Sequence, residues 1–247
     1  MSNCFLTKKE KEILEQKTLE KKILEKIKVP ISKFIEEASI LRRVLKKVEY
    51  HNDDIFYGKT IKVDSLTDIE KFYSKKFIII DKIQKEISQE LLKFEIEFLN
   101  ECMDKYDNIV VKSSNNSENI YIKIKENMNS DTKYILMHPK RYKEIKTLLD
   151  KDDEYKESSG RNFLMFSIFG YIKNAEIFLS NYLKKDNIYL FPSSELSGEY
   201  SIIKDINIVK KDFLETNKIK LVAHNTLGVK LNQNVVTLIN IEKETRI

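Results

Sequence analysis

The side chains able to do chemistry are few and scattered through this chain of 247 residues. Its three histidines, His51, His138 and His224, stand alone, without the H-E-x-x-H kind of spacing that sets two imidazoles on one helix face to hold a metal. Cys4 and Cys102 are too few and too far apart for a disulfide framework or a self-sufficient metal site, and neither lies in a nucleophile-like context. The pairs Asp53-Asp54 and Asp152-Asp153 sit among Lys or Asn and read as solvated turns. There is no G-x-S-x-G elbow, no phosphate loop and no dinucleotide fingerprint, and five glycines leave little backbone to cradle a phosphate. These residues predict a chain that is not an enzyme and holds neither cofactor nor metal.

Composition bounds what else it can be. At 41% apolar residues the chain can bury a sizeable core, as one large domain or two smaller ones. The net charge of +5 is a small difference between 44 basic and 39 acidic residues, interspersed rather than blocked, which is weak support for nucleic-acid binding. Abundant Lys, Ile, Asn, Tyr and Phe also follow from an AT-rich coding sequence without functional pressure. The first residues run into Lys8-Lys9-Glu10-Lys11-Glu12 without the apolar core of a secretory signal. The longest aliphatic or aromatic run, Phe77 to Ile80, falls far short of the roughly 20 residues that span a bilayer. The expectation is a soluble intracellular chain with reduced thiols and no membrane partner.

The elements follow from periodicity and turn chemistry. Thr7 with Glu10 has capping-box spacing, and Leu19, Ile23 and Ile27 step by four, so a charged helix is predicted over residues 7–28, stopped by Pro30. After a short amphipathic stretch from Phe34 to Leu45, the β-prone Val48, Tyr50, Ile55, Tyr57, Ile61 and Val63 flank the turn Asn52-Asp53-Asp54 and Gly58. That segment reads as a long two-stranded hairpin or loop, whose Arg42, Arg43, Lys46, Lys47, Lys59 and Lys62 face solvent or a neighbouring subunit. Asp68 to Tyr106 carries the strongest helical signal, with Ile80, Ile83, Ile87, Leu91, Phe94 (or Leu92), Phe98 and Cys102 (or Leu99) stepping by three and four. Ile120, Ile122 and Ile124 alternate with polar neighbours and predict a strand. Tyr134-Ile135-Leu136-Met137, then His138-Pro139, then Arg141 to Leu149, predicts strand, turn and helix. Phe163, Phe166, Phe169 and Tyr171 are read as a buried helix face rather than a base-stacking platform. Short strands are expected at 188–191, 199–204, 207–211, 219–225, 226–231 and 235–241, which makes the fold class α+β.

This order resembles the major capsid proteins of tailed phages, the Hong Kong ninety-seven-type capsid fold that encapsulins share. The resemblance spans most of residues 31–241. It is carried by Ser39-Ile40-Leu41-Arg42-Arg43 before a β-prone loop and by Tyr134 to Tyr142 before a helix. Further support comes from Gly170 to Ser180 before Ile188-Tyr189-Leu190 and from the closing Leu221 to Ile241. It implies an N-terminal charged helical arm at 1–39, an extended loop at 40–63, and a peripheral domain with a spine helix at 64–128 and 213–247. An axial domain is implied at 129–212. It further implies a virion capsid protein that self-assembles through pentamers and hexamers into an icosahedral shell around double-stranded DNA, built in the host cytoplasm. An encapsulin-type shell packaging a cargo protein is the alternative, and a nucleic-acid-binding regulatory module is the alternative from another class. Arg42, Arg43, Lys46, Lys47, Tyr50, Phe56, Tyr57 and Lys59 are the expected subunit-interface residues. Some phage capsids join a loop Lys to a neighbour's Asn, but no motif here fixes a cross-linking residue.

Overall fold

Thr7 opens the first helix as the sequence predicts. Its backbone N–H and hydroxyl donate to Glu10 at 2.7 and 2.8 Å, and its hydroxyl accepts from the Glu10 N–H at 3.4 Å. The structure, a computed structural model, describes residues 7–51, 56–73, 77–158, 168–213 and 216–242. Expectations resting on Cys4, Asn52-Asp53-Asp54, Phe163 and Phe166 lie outside them. Helix α1 (Lys8–Ala38) does not stop at Pro30 but runs through it. The reason is twofold. Ile23, Ile27, Ile31 and Ile35 form one unbroken buried stripe across the proline. The Lys26 carbonyl, which loses its helical donor because Pro30 has no N–H, instead accepts from Gln84 Nε2 at 2.7 Å.

The chain continues through α2 (Ile40–Val44), β1 (Lys46–Lys47), β2 (Tyr57–Asp68), α3 (Ile69–Tyr73) and α4 (Phe77–Lys105). Helix α4 has 29 residues, so it is about 43 Å long, the expected spine. Then come β3 (Ile109–Ser113), α5 (Ser117–Asn127), β4 (Tyr134–Met137), α6 (Pro139–Leu149), β5 (Tyr155–Glu157), β6 (Ile168–Ile172), β7 (Ala175–Leu179) and β8 (Asn187–Phe191). A one-turn helix α7 (Ser194–Ser197) leads to β9 (Gly198–Phe213), β10 (Lys218–Leu231) and β11 (Thr237–Ile241). The four short strands expected between 199 and 231 are thus two long ones.

Three local expectations are corrected. Residues 120–124 are helical, not a strand. Asn116 caps α5 by accepting from the Glu118 N–H at 2.8 Å, and Ile120 and Ile124 are buried while Ile122 is exposed. Phe169 and Tyr171 lie in strand β6, whose Ile168, Gly170 and Ile172 point inward. The 40–63 segment is no self-paired hairpin: β1 and β2 are opposite edges of a four-stranded sheet in the order β1-β9-β10-β2.

The chain divides into two units, whose boundaries fall inside α1, β2, α4, β9 and β10. The first comprises residues 1–35, 61–91 and 204–225. Here the α1 stripe, Ile83, Ile87 and Leu91 of α4, Ile61 and Val63 of β2, and Ile206, Ile208, Ile219 and Leu221 are buried. The second unit holds a seven-stranded sheet in the order β3-β11-β8-β4-β7-β6-β5. Strands β4 and β8 are antiparallel, with Ile135 opposite Leu190, and β11 pairs parallel with β3, with Ile239 opposite Val111. Helices α5 and α6 supply Ile120, Ile124, Tyr142, Ile145 and Leu149 to a core with Ile135, Ile177, Ile188 and Ile239. As expected, α6 follows a His-Pro junction: Pro139 is the first helical residue and His138 caps it, Nδ1 accepting from the Lys140 N–H at 3.0 Å.

Candidate assembly surface at the base of the loop

The eight expected interface residues all belong to the second unit. Ser39 starts α2 as its N-cap, its hydroxyl accepting from the Arg42 N–H at 3.2 Å and donating to Glu95 of α4. That one-turn helix aims Arg42 at the same carboxylate. Its Nη2 and Nε reach Glu95 Oε1 at 2.7 and 3.2 Å, and Nη1 reaches Glu36 at 3.0 Å. The Arg42 side chain is 5% exposed and that of Glu95 1%, so the pair is a buried clamp rather than a free docking group. Burial opposes the Arg42 charge, but Glu95 and Glu36 outweigh it and raise its pKa. Lys47 joins the cluster through Glu36 at 3.1 Å.

Arg43 points elsewhere. It forms a two-pronged pair with Glu176 of β7 at 2.9 and 3.0 Å and lies 5.7 Å from the centre of the Phe178 ring. The hydrogen bonds to Glu176 raise its pKa. Lys46 is exposed, and its backbone sits opposite Glu199 in the short parallel β1–β9 pair, which the Val48 N–H extends by donating to Tyr200 O at 2.9 Å.

A second group gathers further along the loop. Tyr50 and Phe56 lie 6.5 Å apart between ring centres. Phe56 fits only because residue 228 is glycine, since an added Cβ there would come within 2.8 Å of the Phe56 Cβ. Tyr57 packs on Phe98 at 5.4 Å and carries the Lys105 ammonium 3.4 Å from its ring centre. Lys59 pairs with Glu101, and Thr60 and Thr226 share a hydroxyl contact of 3.1 Å. Cys102 beside them is buried, which pushes its thiol up to about 12 and leaves it inert.

Two groups escape the sequence reading. Glu95 carried a signal: it continues the four-residue step Ile87, Leu91, 95, and a carboxylate on an apolar stripe announces a buried cation. Arg141 carried none. It is among the most buried side chains, binding Asn115 Oδ1 at 2.6 Å, Glu144 at 2.8 Å, Asp186 at 2.9 Å and the Lys185 carbonyl at 2.6 Å. Among the described residues no three His, Cys, Asp or Glu side chains gather as metal ligands, and no helix is long and apolar enough to cross a membrane.

No protein-family model matches the chain, and no curated protein does. Solved structures do match. The virus-like particle from Pyrococcus furiosus superposes with a TM-score of 0.62 at 10% identity, covering 88% of this chain and 99% of that one. The holo-SrpI encapsulin complex from Synechococcus elongatus gives 0.55 at 11%, covering 81% and 86%. Microbacterium phage Oxtober96 gives 0.52 at 9%, covering 83% and 91%. The class these define is the shell-forming α+β fold, and this chain has that fold, the Hong Kong ninety-seven-type capsid fold with an extended loop and a long spine helix.

Proposed function

We propose that the chain is a major capsid protein that self-assembles through pentamers and hexamers into an icosahedral shell around double-stranded DNA, put together in the host cytoplasm. One observation carries this reading: the likeness to the virus-like particle takes in 88% of this chain and 99% of that one, so loop, spine and seven-stranded sheet come as one set. Closed shells are built from repeated heterologous contacts, each burying a large area. In this reading the arm is residues 1–39, the extended loop 40–63 and the spine α4, while the seven-stranded sheet with α5 and α6 acts as the axial domain. Strands β3 and β11 of that sheet fall in ranges that sequence analysis places in the peripheral domain. At the loop base, Arg42 and Arg43 act by fixing α2 to its own subunit, and the exposed Lys46, Lys47 and Tyr50 meet the neighbour.

The encapsulin reading has its own support. Within the first unit, an open groove beside α1 and α4 is lined by Leu19, Ile23 and Ile80, and a second by Pro30, Phe34, Gln84 and Ser88, apolar shelves of the kind a cargo protein's tail would occupy. Mass photometry and negative-stain microscopy of the purified chain over a range of salt test the shell. Uniform particles, pentamers or hexamers support it, and a monomer or dimer under every condition overturns it in favour of a nucleic-acid-binding module. Nuclease-protected DNA inside the particles supports the capsid, and a co-purifying protein with no protected DNA supports the encapsulin.

A further inference from the structure

We propose that the outer face of α1, in the first unit, binds the phosphate backbone of double-stranded DNA through Lys11, Lys21, Lys22 and Lys26. Charge is divided unevenly between the two units. Among the described residues the first unit has 18 lysines, no arginine and 13 acidic residues, whereas the second has 21 basic and 22 acidic residues. The positive excess of the protein therefore resides in the first unit. A coding bias that enriches lysine everywhere does not sort it this way.

Cations of both units hold carboxylates, among them Lys28, Lys71, Lys82, Lys210 and Lys220 of the first. In the second unit Arg42, Arg43, Lys59, Lys125, Arg141 and Lys184 all hold carboxylates. Lys11, Lys21, Lys22 and Lys26 are exposed and form no ion pair among the described residues. At 3.6 residues per turn they fall within about 140° of one another, on the side away from the buried Ile23-Ile27-Ile31-Ile35 stripe. They span about 22 Å, roughly two-thirds of a turn of DNA. Glu15 and Glu25 share the face, which keeps the local excess modest and suits loose, sequence-independent contact.

The partner follows from the charge the face carries. It has no aromatic side chain of the kind protein interfaces are built around, although Leu14 and Val29 are exposed on it and Lys21, Lys22 and Lys26 also edge the groove lined by Leu19, Ile23 and Ile80. The isoleucine stripe is buried, so lipid anchoring would rest on Leu14 and Val29 alone. A row of exposed lysines that outnumbers the carboxylates beside it matches a row of phosphates.

The inference rests on the shell reading only for the identity of the polyanion, and binding can be measured on whichever species the protein forms. Anisotropy of a labelled 30-base-pair duplex at 50 and 200 mM salt is compared for the full chain and for Lys11→Gln/Lys21→Gln/Lys22→Gln/Lys26→Gln. The control removes the same charge from the second unit, as Lys143→Gln/Lys151→Gln/Lys156→Gln/Lys230→Gln, at exposed lysines that form no ion pair among the described residues. Four phosphates neutralised predict about a 100-fold loss of affinity between the two salts for the unaltered chain. The α1 variant then binds more weakly at low salt with a much flatter salt dependence, while the control and the four matching Lys→Arg changes behave like the unaltered chain. If circular dichroism shows that the α1 variant has lost helix, Lys21→Gln/Lys22→Gln gives the same comparison with about half the change in slope. Absence of DNA binding at 50 mM salt, equal losses in both Gln variants, or tighter binding to poly-glutamate or anionic vesicles overturns the proposal. Particle size is recorded on every sample. Shells whose DNA affinity ignores the α1 lysines sink this inference and spare the shell; lysine-dependent binding by a monomer does the reverse.

Discussion

Glu95 shows how a single charge can hold a loop exit in place. It accepts from Ser39 and Arg42 while almost wholly excluded from water, so each partner leaves the other stranded if removed. Glu95→Ala is expected to cost about 3–5 kcal/mol in urea unfolding, while Arg42→Met combined with Glu95→Leu recovers most of that loss. His138 makes the complementary case. Its Nδ1 caps α6 only when unprotonated, and burial first, then Lys185, Arg141 and Lys140, hold its pKa below the ordinary value of 6.5. Because the folded pKa is the lower one, the unfolded chain takes up a proton more readily. Stability from this group is thus present above 6.5 and lost as pH falls through the folded pKa. Thermal melts at pH 7 and pH 5 are expected to show the unaltered chain losing more stability on acidification than His138→Asn, which keeps a cap but has nothing to titrate.

At the scale of elements, the proline in α1 makes a sharp prediction. Gln84 supplies the bond that Pro30 cannot, so Gln84→Ala is expected to cost about 1 kcal/mol. In a Pro30→Ala background the same change costs less, because the restored N–H at position 30 returns to the Lys26 carbonyl, and a double-mutant cycle in urea measures the difference. This also marks what the sequence could and could not tell. The cap that Thr7 forms with Glu10 and the turn into α6 at His138-Pro139 were legible because the residues that set them are neighbours in sequence. The stop at Pro30 was misread because its remedy comes from residue 84. The Ile120, Ile122, Ile124 pattern satisfies a period of two as well as a helix face formed by 120 and 124, and only the Asn116 cap separates the two. The pairing of Lys46 with Glu199 leaves no local trace, so the loop read as a hairpin. Of the candidate site, the sequence displayed the basic and aromatic residues of the segment, but not that Arg42, Arg43, Tyr57 and Lys59 are engaged within their own chain.

For the molecule as a whole, the helix proposed as an arm is only half exposed. Ile13 and Leu14 are exposed, whereas Ile23 and Ile27 belong to the core. Deleting residues 1–28 would remove core side chains and is expected to lower the melting temperature markedly, while deleting residues 1–16 leaves it nearly unchanged. Size-exclusion profiles of the shorter deletion then report on assembly alone, and unaltered particles would deny its first turns any role there. The order of the seven-stranded sheet has a different consequence. Strand β11 lies between β3 and β8, so β3 meets its only strand partner among the described residues more than a hundred residues after it is made. At ordinary rates of translation that interval is on the order of 6–25 s. Through it Ile109, Val110 and Val111 emerge from the ribosome with no ladder to join, and the sheet closes only once residues 237–241 are free. Synthesis therefore acts as a clock: however early the other strands are made, the sheet stays open at its β3 edge until residues 237–241 have left the ribosome.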